Sequence, residues 1–477
     1  MSSTSAEFPP KTYDIAIIGG GSGGYAAART TAALGLRTVV IDGARELGGL
    51  CILRGCMPSK TLIESANRFL TIRRAGEFGL KANDIGVHSD AIIERKRKLI
   101  GEFADYRSGQ LQDGRFDLIR ATARFVDAHT VEVSPIDGSA SRSVTARAFV
   151  IATGSSIFVP PVDGLQETGF LTSDDVLDRK EIPESIIVLG GGAIALEMAH
   201  YYEGIGKKVT VVQRSKQILS DMDPDIAEAT RTALEKRGMA IYCGTKLLSA
   251  ARTSANKKTI TFEQDGNEIT VEADEIMAAL GRKPATDGLA LEKAGVETTG
   301  VQIITGKTMA TSQPHIFAAG DVCGPFEIVH VAINQGEVAA RNIARLLKGE
   351  TTHHDEIDYR LKLYGIFTEP QIAIAGLSEV DAAKAGRAVI SASYPFADHG
   401  KSMVLGETEG FVKLIADPET KELLGGAAVG PEATELIHEI VVALHFRAKA
   451  GELALIPHYH PTLSEIWTYP AEELADM

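Results

Sequence analysis

Cys51 and Cys56 stand five residues apart in GGLCILRGCMPSK at 48–60. In a regular α-helix such a pair is about 8–9 Å apart at Cα, whereas a disulfide needs roughly 4.4–6.8 Å. The two can join only across an irregular turn. Gly55 permits one, and Pro58 suits the first turn of a following helix. N–H groups at that helix start would favour a thiolate at Cys56. Four cysteines in 477 residues cannot form a structural disulfide framework, and with no neighbouring histidine pair a closed zinc site is not indicated. The pair reads as a redox couple, against the alternatives of a structural bridge or two buried thiols. Cys243 and Cys323 stand alone and read as structural.

A second chemistry is carried by glycines. Gly19, Gly21 and Gly24 give G-x-G-x-x-G between an apolar run and an Ala-rich helical stretch, and a second apolar run ends at Asp42. In that strand–helix–strand frame the glycines let backbone N–H groups approach a pyrophosphate at the positive end of the helix, and Asp42 would accept from a ribose. The pattern recurs at 185–213 without a gap, so that Gly190, Gly192, Ala195 and Gln213 fall on Gly19, Gly21, Gly24 and Asp42. The neutral Gln213, followed by Arg214, removes repulsion toward a 2′-phosphate, and Arg214 could bind one. Gln213 can equally bond a 2′-hydroxyl, so NAD and NADP both stay open.

These features need elements to hold them. The length fits about three domains. A charged helix is expected over 91–112, a hairpin over TITFEQDGNEITVEADEIM, and a helix over ATELIHEIVVALHF, apolar around most of its circumference and therefore buried, against a partner chain among other options. HHDEID reads as a linker, placing His353 and His354 on the surface. Formal net charge is −14, which argues against nucleic-acid and anionic-membrane binding. No run approaches the roughly 20 apolar residues of a membrane span, and the polar N-terminal tail carries no secretory pattern, so a cytoplasmic protein is expected.

With ATGS at 152–155, AAGDV at 318–322 and HYHPTLSE at 458–465 added, the chain resembles the class I pyridine nucleotide-disulfide oxidoreductases, on the dihydrolipoamide dehydrogenase branch. The resemblance implies an α/β fold with two Rossmann-like dinucleotide-binding domains, for FAD and NAD(P), plus a C-terminal α+β dimerisation domain. The expected division is 1–155 and 283–350 for FAD, 156–282 for NAD(P), and 351–477 for the interface of a homodimer. It implies that Cys51 exchanges with substrate and that Cys56 is the sulfur beside the flavin. Lys60 would lie near the flavin and pair with Glu197. Asp321 would hold the ribityl chain, with Ala123, Thr153, Gly154 and His330 lining FAD and Gly281 beside the nicotinamide nucleotide. For Ala123 and His330 the competing reading is ordinary packing.

His460 and Glu465 match the family's acid–base pair. A dithiol attacks a disulfide only as thiolate, so a proton acceptor near neutrality is needed, and a carboxylate fixes its tautomer. His458 reads as a supporting or surface residue and Trp467 as interface packing. Leu50 stands where the branch usually has Thr, and Leu53-Arg54 where it has Asn-Val, which leaves the substrate open; Arg54 adds a cation beside the couple. The implied activity is oxidation of a small dithiol or of a lipoyl-bearing carrier protein. The alternative is NADPH-dependent reduction of another small disulfide or a metal ion, in the manner of glutathione or mercuric reductases. No cysteine follows Cys323, which counts against the mercuric and thioredoxin types. A scaffold with degenerate chemistry is the remaining alternative, opposed by the joint presence of both cysteines and the His–Glu pair.

Overall fold

Alternation of short apolar runs with Ala-rich stretches produces a parallel sheet flanked by helices, because strands covered on both faces must be apolar along their whole length. The computed structural model describes residues 12–350 and 354–477; the tail before Thr12 and His353 lie outside these. Contacts divide the chain into two units, residues 1–58, 97–158 and 282–358, and residues 59–96, 159–281 and 359–477.

In the first unit β1 (Thr12–Ile18), α1 (Ser22–Ala33) and β2 (Thr38–Ile41) form the expected strand–helix–strand. Beyond α2 (Leu50–Leu53), α3 (Cys56–Arg73) and α4 (Ser89–Leu111) come β3 (Asp117–Ile119), β4 (Ala121–Asp127), β5 (Thr130–Pro135) and β6 (Arg142–Ile151). Their sheet runs β3-β2-β1-β6-β5-β4, with strand Ile316–Ala318 also pairing in parallel with β6. Ile15, Ala16 and Ile17 of β1 are fully buried. Helix Val329–Leu347 crosses α1 at close range, since a Cβ on Gly336 would lie 2.2 Å from the Gly23 carbonyl oxygen.

The second unit repeats the device in β7 (Ser185–Leu189), α5 (Ala193–Gly204) and β8 (Lys208–Gln213), followed by α6 (Pro224–Lys236), β9 (Ala240–Cys243) and β10 (Glu275–Ala278). This parallel sheet runs β9-β8-β7-β10. The hairpin is present as antiparallel Lys258–Gln264 and Asn267–Ala273. The C-terminal part is a five-stranded antiparallel sheet covered by α7 (Ala433–His445) and α8 (Thr468–Asp476). α7 buries Leu436, Ile437, Ile440 and Leu444, while Val442 is exposed, as is Phe446 just beyond the helix. The apolar circumference is thus only half used within the chain.

Lys413, central in strand Phe411–Ala416, is buried with its Nζ 2.8 Å from carboxylate oxygens of Asp223, Asp225 and Glu379. The ammonium fills the space among the three carboxylates. Burial acts to raise the Glu379 carboxyl, but hydrogen bonds from Lys413 and Ser391 outweigh it and leave it below its ordinary value. A carboxyl lowered on folding adds stability above its ordinary value, and this is lost as pH falls through the lowered one. Lys413→Met, which strands three carboxylates, is expected to cost about 3 kcal/mol or more at neutral pH. Thermal melts should show the loss shrinking as the pH falls toward 4; a pH-independent loss would contradict the assignment.

Candidate active site

The site's foundation is the turn after β1. Gly19 has φ +104°, and a Cβ there would lie 2.3 Å from the Ala152 carbonyl oxygen, so only glycine lets β1 and β6 meet the turn this closely. Asp42, 7% exposed, accepts from the N–H groups of Gly20 at 2.7 Å and Ala44 at 2.9 Å, and pairs with Arg120. The second turn has the same backbone. Gly190 (φ +113°) approaches the Ala279 carbonyl in the same way. The third position differs: a Cβ on Gly24 would lie 1.9 Å from the Gly19 oxygen, whereas Ala195 fits at 3.7 Å from the Cβ position of Gly190. Gln213 is half-buried, donating weakly to the Gln217 carbonyl, and Arg214 and Lys216 are exposed.

The cysteine segment packs onto the first turn. Gly49 (φ +77°) places its Cβ direction 2.7 Å from the Gly21 Cα, a contact any side chain would block. α2 carries Cys51 and ends after one turn. The chain doubles back so that a Cβ on Gly55 would lie 3.1 Å from the Leu50 oxygen and 3.4 Å from the Cys51 Cα, and Cys56 opens α3. This is an irregular turn between the sulfurs, and both cysteines are half-buried. Leu50 is 38% exposed beside Cys51. Arg54 is 3.5 Å from Glu46 in a half-exposed ion pair. Arg107 on α4 is not marked by any motif or spacing. Its guanidinium sits 4.1 Å from the centroid of the Tyr25 ring, and its Nε is buried without a hydrogen-bond partner among the described residues. Burial holds its pKa below the ordinary value, opposed by Tyr25 and Cys51. A guanidinium within electrostatic reach of Cys51 attracts an anion there, a thiolate or an anionic group of an incoming substrate.

The ATGS turn joins the same unit. Ser155 donates to Asp321 at 2.6 Å and receives Arg282 at 2.8 Å. Buried Gln335 clamps the AAGDV turn, accepting from the Gly320 N–H and donating to the Gly324 oxygen, each at 2.7 Å. Thr153 Oγ1 is buried with no hydrogen-bond partner among the described residues, and Gly154 has φ +71°. A buried orphan hydroxyl costs about 1–3 kcal/mol, so it calls for a polar ligand group. The glycine turn, Asp42, Thr153 and Asp321 therefore fit a dinucleotide. Ala123 is half-buried in β4, and His330 is exposed at the start of helix Val329–Leu347.

In the second unit Lys60, one helical turn after Cys56, places Nζ 2.8 Å from both carboxylate oxygens of Glu197 and 4.7 Å from the Phe367 ring centroid. Glu197, 5% exposed, also accepts from the Phe367 N–H at 3.1 Å. Gly281 has φ +129° and is exposed.

His460 and Glu465 also lie in the second unit, Nδ1 standing 3.0 Å from the carboxylate. The His460 side chain is 79% exposed and that of Glu465 only 12%. Exposed apolar residues surround this segment in the chain: Leu455, Ile456 and Tyr459, with Val442 and Phe446 at the end of α7. His458 donates from Nδ1 to the Ile456 carbonyl oxygen at 2.8 Å, and its Nε2 lies 2.7 Å from a Glu439 carboxylate oxygen. His354 is exposed, and Cys243 and Cys323 are buried. Trp467 corrects the expectation of an interface residue. It is fully buried in its own chain, its Nε1 donating to the Leu436 oxygen at 3.2 Å, because the 3₁₀ turn Ser464–Trp467 folds the indole inward. No described helix is long and apolar enough to cross a membrane.

Sequence profiles match two segments: pyridine nucleotide-disulphide oxidoreductase over residues 13–336 and the dimerisation domain of that group over 364–471. The dihydrolipoyl dehydrogenase of Thermus scotoductus is 36% identical across 97% of this chain and 98% of its own. That of Bacillus subtilis is 33% identical across 95% and 96%. Among solved structures, LpdA from Mycobacterium tuberculosis superposes with a TM-score of 0.85 at 28% identity, covering 96% of this chain and 99% of its own. The HOCl-induced flavoprotein disulfide reductase RclA from Escherichia coli, solved as a Cu(II) complex, gives 0.83 at 25% identity over 97% and 99%.

Proposed function

The chain belongs to the pyridine nucleotide-disulphide oxidoreductases, FAD-dependent enzymes that use NAD(P), and on that premise we propose that it oxidises dihydrolipoyl groups through a Cys51–Cys56 disulfide. One observation carries this reading: the cysteine turn is packed by Gly49 onto Gly21 of the dinucleotide-binding turn, within the same unit. Residues 1–155 and 283–350 are assigned to FAD, 156–282 to NAD(P), and 351–477 to contact with a second copy.

His460 of the second copy takes the proton of one substrate thiol at Nε2, since its Nδ1 is engaged by Glu465. The thiolate attacks Cys51 Sγ, the Cys51–Cys56 bond breaks, and Cys56 leaves as thiolate. The second substrate thiol displaces Cys51 from the mixed disulfide. The substrate is then a disulfide, and the two cysteines hold the two electrons as a dithiol. Asp42, Thr153 and Asp321 would hold FAD, and Gly190, Gly192 and Arg214 would hold the second nucleotide. When bound, these cofactors supply the two-electron and hydride chemistry that reoxidises the dithiol.

Dihydrolipoamide oxidation assayed with NAD+ and NADP+ in parallel tests the reading. Absence of rate with both, alongside reduction of another disulfide or of Cu(II), would replace it with the second reading, which the Cu(II)-bound neighbour supports. The missing carboxylate at Gln213, with Arg214 exposed beside it, leads us to expect that NADP+ is accepted. Gln213→Glu should then raise KM for NADP+ about tenfold or more and leave NAD+ within a few-fold, through like-charge repulsion of the 2′-phosphate. Equal effects on both coenzymes would contradict this placement.

A further inference from the structure

Behind Glu465 stands a second histidine that the acid–base pair does not account for. His399 precedes the short helix Gly400–Leu405 and is fully buried. Its Nδ1 is 2.9 Å from Ser402 Oγ, itself fully buried. Its Nε2 lies 3.3 Å from Glu465 Oε1, off the line of a well-formed hydrogen bond, and has no other partner among the described residues. Glu465 is thus flanked by two imidazoles, an exposed one at 3.0 Å and a buried one at 3.3 Å.

The tautomer follows from electrostatics. If Nδ1 donated to Ser402, the Nε2 lone pair would face a carboxylate in a buried site. If instead the Ser402 hydroxyl donates to Nδ1, Nε2 carries the proton and presents an N–H to Oε1. The second arrangement satisfies Nδ1 and turns an N–H, rather than a lone pair, toward the carboxylate. The titratable groups facing His399 are Glu465 and His460 from the C-terminal segment and Tyr469 of α8, whose ring centroid is 6.5 Å away. Asp398, its neighbour in sequence, accepts from the Tyr394 hydroxyl. Burial lowers the pKa of His399 more than Glu465 raises it, so the ring is neutral at neutral pH. The Glu465 main chain is held as well, its carbonyl accepting from Thr468 Oγ1 at 2.8 Å.

We propose that His399 is a positioning residue for the proton-transfer pair: its Nε2–H fixes the orientation of the Glu465 carboxylate and shares the negative charge that His460 would otherwise meet alone. The inference rests on reading His460 and Glu465 as that pair. Without the buried donor the carboxylate becomes more basic and binds the His460 imidazolium more strongly. His460 would then hold its proton to higher pH and act less well as a base near neutrality.

The test uses the full-length, flavin-loaded enzyme. In His399→Phe, the acid limb of kcat/KM and the NMR titration midpoint of His460, assigned with His460→Gln, should both move upward by about half a pH unit, with kcat at neutral pH falling about threefold to tenfold. His399→Gln, which can offer an amide N–H, should recover part of both. Should His399→Phe fold poorly, Ser402→Ala keeps the ring but removes the donor that sets its tautomer, and should move the midpoint the same way by less. A fall in kcat with limb and midpoint unmoved in these variants would overturn the proposal, as packing alone would then explain it. Glu465→Gln separates the two levels. If it shifts the His460 midpoint while the His399 and Ser402 variants do not, His399 is excluded and the pair stands. If Glu465→Gln leaves the midpoint unmoved, the pair itself is wrong and the inference falls with it.

Discussion

Cys51→Ser should retain flavin and lose dithiol turnover by roughly ten-thousand-fold or more, the scale seen when an enzyme's nucleophile is removed. The reason is electronic rather than steric. A serine oxygen fits the same space at the start of α2 but cannot form the mixed disulfide with substrate. The contacts that shape the dinucleotide turn come from Gly19, Gly21 and Gly49, which the substitution leaves alone. Cofactor binding and chemistry are therefore separable: the flavin absorbance of the purified variant should match the parent, while dihydrolipoamide no longer bleaches it anaerobically. Joint loss of flavin and activity would mean that Cys51 is structural.

His460→Ala should lower kcat about a hundredfold to ten-thousandfold near neutral pH, the range for removing a general base. The loss should shrink at alkaline pH, where the substrate thiol ionises unaided. Because the His460 side chain is 79% exposed, the substitution should not lower the melting temperature, in contrast to Lys413→Met. Steady-state rates between pH 6 and 9, with melts on the same samples, check both statements. A pH-independent loss, or none, would remove His460 from the proton transfer.

Much of this organisation was legible because it depends on local spacing. The glycine turns announce themselves since no other residue tolerates a carbonyl 2.3 Å from its Cβ, at Gly19 and again at Gly190. The cysteine spacing demands a broken helix, and the break falls between Leu53 and Cys56. What stayed hidden depends on contacts between segments distant in sequence. Arg107 reads as one more charge on a charged helix until Tyr25 and Cys51 are placed around it. His399 sits in FADHGKS with no periodic signal, and only the fold sets it behind Glu465. Lys413 reads as a polar break in an apolar strand until three carboxylates surround it. Trp467 misled for the same reason: one 3₁₀ turn decides whether an indole near the end of a chain faces a partner or its own core.

The central claim is that Cys51 and Cys56 form one reversible bond that substrate opens. Alkylation followed by peptide mass spectrometry measures it directly. In the oxidised, flavin-loaded enzyme both cysteines should resist alkylation under denaturing conditions and appear as a single cross-linked pair of peptides. After one equivalent of dihydrolipoamide, without oxygen or NAD(P)+, both should become labelled together, while the labelling of Cys243 and Cys323 stays as it was. Labelling of Cys51 and Cys56 before any dithiol is added, or no gain in labelling afterwards, would contradict the account.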